Sequence, residues 1–171
     1  LVSGDASCGG LVGRRASGEL NIDNCLFDGS FTVGVSARCH SNGGFIGWKD
    51  NSYDRANIYD CLFAPDLILT REDNCATFAR AENLSTVNLK NCYYTKTYGT
   101  ETNGATNCTG LSPQELATKL GEGWTVRGDS VFPIPRERYT LPVTVWDKRA
   151  KLKLRINMHG EKGVESTLVD L

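Results

Sequence analysis

Residues 21–27 read NIDNCLF, residues 57–63 read NIYDCLF and residues 88–94 read NLKNCYY. One phrase therefore occurs three times: Asn, an aliphatic, a free choice, Asn or Asp, Cys and two apolar residues. Its cysteines stand 36 and 31 residues apart. Such self-similarity is weighed before any single residue, because it marks units that bury their apolar faces against one another. A second phrase travels with the first: CGGLVG from Cys8, CHSNGGFIG from Cys39 and CATFAR from Cys75, with a partial copy, CTGL, at Cys108. On this alignment all seven cysteines fall into two columns, Cys8, Cys39, Cys75 and Cys108 in one and Cys25, Cys61 and Cys92 in the other.

The residues between the cysteines agree as well. Leu11, Phe45 and Phe78 are equivalent, as are Val12, Ile46 and Ala79; Leu20, Ala56 and Val87; and Ile22, Ile58 and Leu89. Asn21, Asn57 and Asn88 are identical, whereas Asp23, Tyr59 and Lys90 vary freely. Further on come Phe27, Phe63 and Tyr94, then Phe31, Leu67 and Tyr98. Within a copy the alternation has a period of two, the signature of a strand with one buried face. The first 110 residues hold no sustained helical period, which excludes the helical repeats of similar length. Strands returning in the same order and spacing predict an all-β parallel β-helix, or β-solenoid, of about three coils. Each residue then lies about 4.8 Å from its counterpart, so aliphatics, amides and small thiols each stack in columns.

The phrases GGLVG and GGFIG, each followed by NCLF or DCLF, resemble the GLUG-type repeats of bacterial secreted and surface proteins. The resemblance covers residues 8 to about 111 and extends loosely into GLSPQELATKLGEGW. It implies a right-handed parallel β-helix in a large extracellular protein of the adhesin type. The third copy departs from the pattern, since CATFARAENL has lost every glycine of GGLVG.

After residue 111 the pattern changes. Ser112-Pro113-Gln114-Glu115 is a capping box with Pro at the first helical position, Leu116 and Leu120 share a face, and Gly121 is a ready stop. These residues predict a short capping α-helix over 113–120, with Trp124 beside it over the last coil. The expected organisation is β-solenoid repeats over 1–111, the helix and a Pro-containing linker over 112–138, and a short β-strand extension over 139–171. The last segment alternates in LPVTVWD and KLKLRIN and is too short for a domain of its own. It reads as an extension packed on the repeats or as the first strands of a following domain. The chain opens at Leu1 just upstream of a recurring motif, as expected for a piece of a longer parent with other domains.

Composition narrows the function. A net charge of -1 offers no basic surplus for nucleic acid, and no run of about 18 apolar residues predicts membrane insertion. Seven cysteines cannot all pair, and stacked Cβ atoms about 4.8 Å apart exceed the usual disulfide span, so buried free thiols are expected. No close CxxC pair predicts zinc, and Cys39-His40 alone is a weak metal candidate; no metal and no cofactor is expected. GGLVG lacks the Gly-Lys-Ser/Thr ending of a phosphate loop. Asp23, Asp28, Asp50, Asp54 and Asp60 are the carboxylates from which a glycosidase pair would have to come. With two histidines and no Ser-His-Asp signature, the expectation is a chain without catalytic residues.

The insertion GWKDNSYDR, residues 47–55, is longer than its counterpart in the first copy. It sets Trp48 and Tyr53 among Asp50 and Arg55, and aromatics with polar neighbours on a scaffold loop suit the faces of sugars. The expected function is a non-catalytic module of a secreted or cell-surface bacterial protein, acting in adhesion or as a stalk. Its partner would be a host or cell-wall glycan or a protein ligand. A carbohydrate-active enzyme and a purely structural spacer are the alternatives.

Overall fold

The computed structural model describes residues 2–3, 8–15, 18–33, 41–50, 53–70 and 72–135. Contacts divide the chain into Leu1–Arg136 and Glu137–Leu171. The second unit lies outside the described residues, and with it the expected strands of 139–171. Cys39 and His40 also lie outside them.

Short strands follow the repeat. β1 (Val2–Ser3) precedes the first copy, which holds β2 (Val12–Arg15), β3 (Leu20–Asp23), β4 (Leu26–Phe27) and β5 (Ser30–Val33). The second copy holds β6 (Ile46–Lys49), β7 (Ala56–Tyr59), β8 (Leu62–Phe63) and β9 (Leu67–Ile68). The third holds β10 (Ala79–Ala81), a 3-10 turn (Leu84–Thr86), β11 (Val87–Lys90) and β12 (Tyr93–Tyr94). Then come β13 (Thr106–Asn107), α1 (Pro113–Leu120), β14 (Trp124–Arg127) and β15 (Ser130–Pro133).

Every pairing between copies is parallel and joins like to like: β2–β6–β10, β3–β7–β11 and β4–β8–β12. In the β3–β7–β11 sheet the register is unbroken, with Leu20, Ala56 and Val87 in line, then the three asparagines, then Ile22, Ile58 and Leu89. Among the described residues the fold is all-β, with parallel sheets between the copies, one antiparallel hairpin and one α-helix. The asparagines bond amide to amide: Asn57 Nδ2 donates to Asn21 Oδ1 (2.7 Å) and Asn88 Nδ2 to Asn57 Oδ1 (2.8 Å). Inside, Phe27 stacks on Phe63 (5.5 Å) and Phe45 on Phe78 (5.0 Å). A buried aromatic pair of this kind adds about 1 kcal/mol beyond its area.

Cys25, Cys61 and Cys92 each open the step into β4, β8 and β12 and lie one beneath the next: Leu62 N–H donates to Cys25 O and Tyr93 N–H to Cys61 O. The residue before each of them, Asn24, Asp60 or Asn91, has a positive φ of 53°, 51° or 54°. Short polar side chains tolerate that left-handed turn, which is why the phrase carries Asn or Asp there. Gly43 and Gly44 are fixed by close approach. A Cβ at Gly43 would strike Ile46 O, and one at Gly44 would strike Thr77 O in the next copy.

The structure corrects five expectations. The bridges Gly9–Gly43 and Gly43–Ala76 place Asn42, not Cys39, between Cys8 and Cys75. Asn42 Oδ1 accepts Cys8 N–H (3.0 Å) and Asn42 N–H donates to Cys75 Sγ (3.2 Å), so an amide fills the thiol's slot. Cys108 belongs to neither column: it follows β13, and its N–H donates to Tyr94 O. Phe31 pairs with Ile68 rather than Leu67, which is exposed, because the second copy uses one more residue at the Ala64-Pro65-Asp66 corner. In the third copy, which lacks the glycines, Ala79 still pairs with Ile46, but the register slips before Ala81.

The fourth correction concerns the end of the stack. A fourth layer begins with the Ala76–Glu101 bridge and ends with β13 on β12, but skips the counterparts of β2 and β3. The Asn103 side chain stands in for the first of these. Phe45 and Ile46 N–H both donate to Phe78 O, and Phe78 and Ala79 N–H in turn both donate to Asn103 Oδ1 (3.3 and 2.9 Å). Asn103 Nδ2 completes the imitation by donating to Ala79 O (3.0 Å).

The helix forms where the capping box places it: Ser112 Oγ accepts Glu115 N–H and Glu115 Oε2 accepts Ser112 N–H. Hydrogen bonds from Ser112 hold the Glu115 carboxyl below the usual carboxylate range. The helix and the β14–β15 hairpin do not sit over the last layer, however. They lie along the β4–β8–β12 flank, where Leu116, Leu120 and Trp124 bury Leu62 and pack on Leu26 and Tyr93. Asn24 Nδ2 donates to Gly123 O, Trp124 Nε1 to Asp60 O and Asn91 Nδ2 to Leu120 O, one bond from each copy. The left-handed turns project these groups sideways, so the flank is the face that can be tied.

Candidate functional site

The insertion after β6 gathers a charged aromatic cluster. Register sets Arg14 of β2 beside Trp48 of β6. On the other side the ladder slips between Ala79 and Ala81, and the Arg80 guanidinium lies 4.2 Å from the centre of the Trp48 ring. Such a cation on an indole face is worth about 1 kcal/mol. Trp48 Nε1 donates to Asp50 Oδ1, and Arg14 forms an ion pair with the same carboxylate (3.2 Å). Lys49 between them is fully buried, and its Nζ donates to Asp50 O (3.3 Å). Burial pulls the Arg80 pKa below its usual value, but a guanidinium remains a cation.

Of the four residues singled out from sequence, Trp48 and Asp50 meet. Among the described residues, no hydrogen bond or ring contact joins the side chains of Tyr53 or Arg55 to them. Trp48 is half-buried with one face covered by Arg80, so it is a structural platform. Tyr53 is 97 % exposed and offers both faces of its ring to solvent. Arg55 is exposed, and its carbonyl accepts Leu20 N–H in the ladder below. Arg14 and Arg80 were not picked out from sequence; extending the Val12–Ile46 column by two residues puts Arg14 against Trp48.

The carboxylates considered for catalysis are mostly engaged. Asp50 holds Trp48 and Arg14, Asp54 accepts Gly18 N–H (2.6 Å) and Asp60 accepts Asn91 Nδ2 (2.8 Å). Asp28 instead borders a cleft of about 650 Å³ between the flank and β4–β8, with Asp66 and Asp129 on the same rim and Leu26, Leu116 and Phe132 on its walls.

The six described cysteines are free thiols. Along the Cys25–Cys61–Cys92 column the central thiol serves both neighbours. Its hydrogen bond lowers the Cys25 pKa to about 7 and also lowers that of Cys92. The same bonds, with burial, push Cys61 far up. Among the described residues no group of three or more His, Cys, Asp or Glu could hold a metal ion. Among them also, no helix is long and apolar enough to cross a membrane. No protein-family model, curated protein or solved structure matches the chain.

Proposed function

We propose that the chain is a non-catalytic, right-handed parallel β-solenoid of the GLUG type, from a secreted or cell-surface bacterial protein. Its role is adhesion to a glycan or protein ligand through the loop after β6. The in-register stacking of three copies supports the solenoid, with α1 and the hairpin as a side brace. The observation that carries the binding role is Tyr53, almost wholly exposed in the loop that follows a Trp48 locked by Arg80 and Asp50. A large aromatic left open on a loop exposes apolar surface that a sugar face or apolar side chain would cover. Tyr53 and Arg55 are the contacts; Trp48 and Asp50 set the loop's base.

A glycan array with the wild type, Tyr53→Ala and Trp48→Ala tests this reading. Binding lost in Tyr53→Ala, and weakened in Trp48→Ala, is the expected result; no binding by the wild type leaves the spacer. A second reading, a carbohydrate-active enzyme, rests on the cleft rimmed by Asp28, Asp66 and Asp129. Release of reducing ends from any arrayed glycan, abolished by Asp66→Asn, would establish it instead.

A further inference from the structure

The outer edge of β11 has no strand on it among the described residues, although the fourth layer is filled on both sides of it. Before β11, Asn103 occupies the edge of β10; after it, β13 occupies the edge of β12. Asp60 N–H donates to Lys90 O across the ladder to β7, and the alternation of a parallel pair then turns Leu89 N–H and C=O to the opposite, outer side. An edge of this kind is a template for another strand.

Three features define what fits it. The site is one strand wide and one layer deep, because Asn103 and β13 already stand a layer beyond β11. The asparagine ladder has a direction: each Nδ2 donates back to the preceding copy, so Asn88 Oδ1 faces the next layer as an acceptor. Lys90 is exposed at the end of the strand.

We infer that the β11 edge recognises a single extended peptide segment, added in parallel, with the order aliphatic, Asn, aliphatic, acidic. The aliphatics continue the Val87 and Leu89 columns, the Asn amide donates to Asn88 Oδ1 and the acid pairs with Lys90. This is the pattern of the chain's own β3, Leu-Asn-Ile-Asp, now offered in trans. The inference is independent of the ligand at Tyr53.

The probe is a fluorescent peptide of residues 18–24, GELNIDN, titrated into the full chain. Saturable binding is expected. Leu89→Pro removes the outward N–H and should abolish it. Because the change also deletes a side chain packed on the core, Leu89→Ala, which keeps the N–H, is the control and should still bind. Lys90→Glu should weaken binding about fivefold, and a peptide carrying Asp23→Lys should restore it. Hydrogen exchange at the Leu89 amide gives a readout without substitution: fast in the free chain, protected by the peptide. No binding, binding indifferent to Lys90→Glu, or a Leu89 amide already protected before peptide is added would each overturn the proposal.

Discussion

At the scale of the residue, the thiol column makes a chemical statement. Cys61 is buried and keeps its proton, while half-buried Cys25 at the column's end gives its proton up early, because Cys61 Sγ–H can donate to the thiolate. The thiolate is the nucleophile, so alkylation of the native chain should strike Cys25 with a midpoint near pH 7, below its ordinary 9.0. Cys61 should stay unreacted until the chain unfolds. Cys61→Ala removes the donor and should move the Cys25 midpoint upward; a midpoint that stays near 7 would refute the thiol–thiol bond. The linkage follows the depressed-acid sign. This group's contribution to stability is full above the unfolded pKa of about 9 and is lost as pH falls through about 7. The column itself was legible, because three cysteines recur with the same neighbours. The other column was not: matching letter to letter chose Cys39, whereas the slot needs a group that accepts Cys8 N–H, which the Asn42 amide supplies.

At the scale of the element, termination matters more than repetition. Period-two alternation made β3, β7 and β11 readable, and the capping box made α1 readable, since both are local rules written in adjacent residues. Asn103 was invisible because it imitates a strand without belonging to one. Asn103→Ala leaves two N–H groups and one carbonyl of the buried Phe78–Ala79 segment without partners. An unsatisfied buried backbone group costs about 1–3 kcal/mol, and water can reach part of this edge, so a loss of about 2 kcal/mol is expected in urea unfolding. Asn103→Asp keeps the acceptor and forfeits only the bond to Ala79 O, so it should lose less. Equal stability of Asn103→Ala and wild type would show that the imitation carries no weight. The misplaced Leu67 has a comparable cause: one additional corner residue shifts β9 by one position, which residue type alone cannot reveal.

At the scale of the whole molecule, the sequence predicted the right helix and the wrong place for it. A cap on the last layer would protect only the third copy, whereas the flank is bonded to Asn24, Asp60 and Asn91, one turn in every copy. The two placements differ in what breaks when the anchor is removed. Trp124 is 5 % exposed, fills the space against Leu62 and Leu116, and donates to Asp60 O in the middle copy. Trp124→Ala should therefore cost about 3–5 kcal/mol, a value typical of a buried Trp cut to Ala. Amide exchange should accelerate around residues 24–27, 60–63 and 91–94 together, because one brace serves all three turns. Acceleration confined to 91–94 would instead return the helix to the end of the stack.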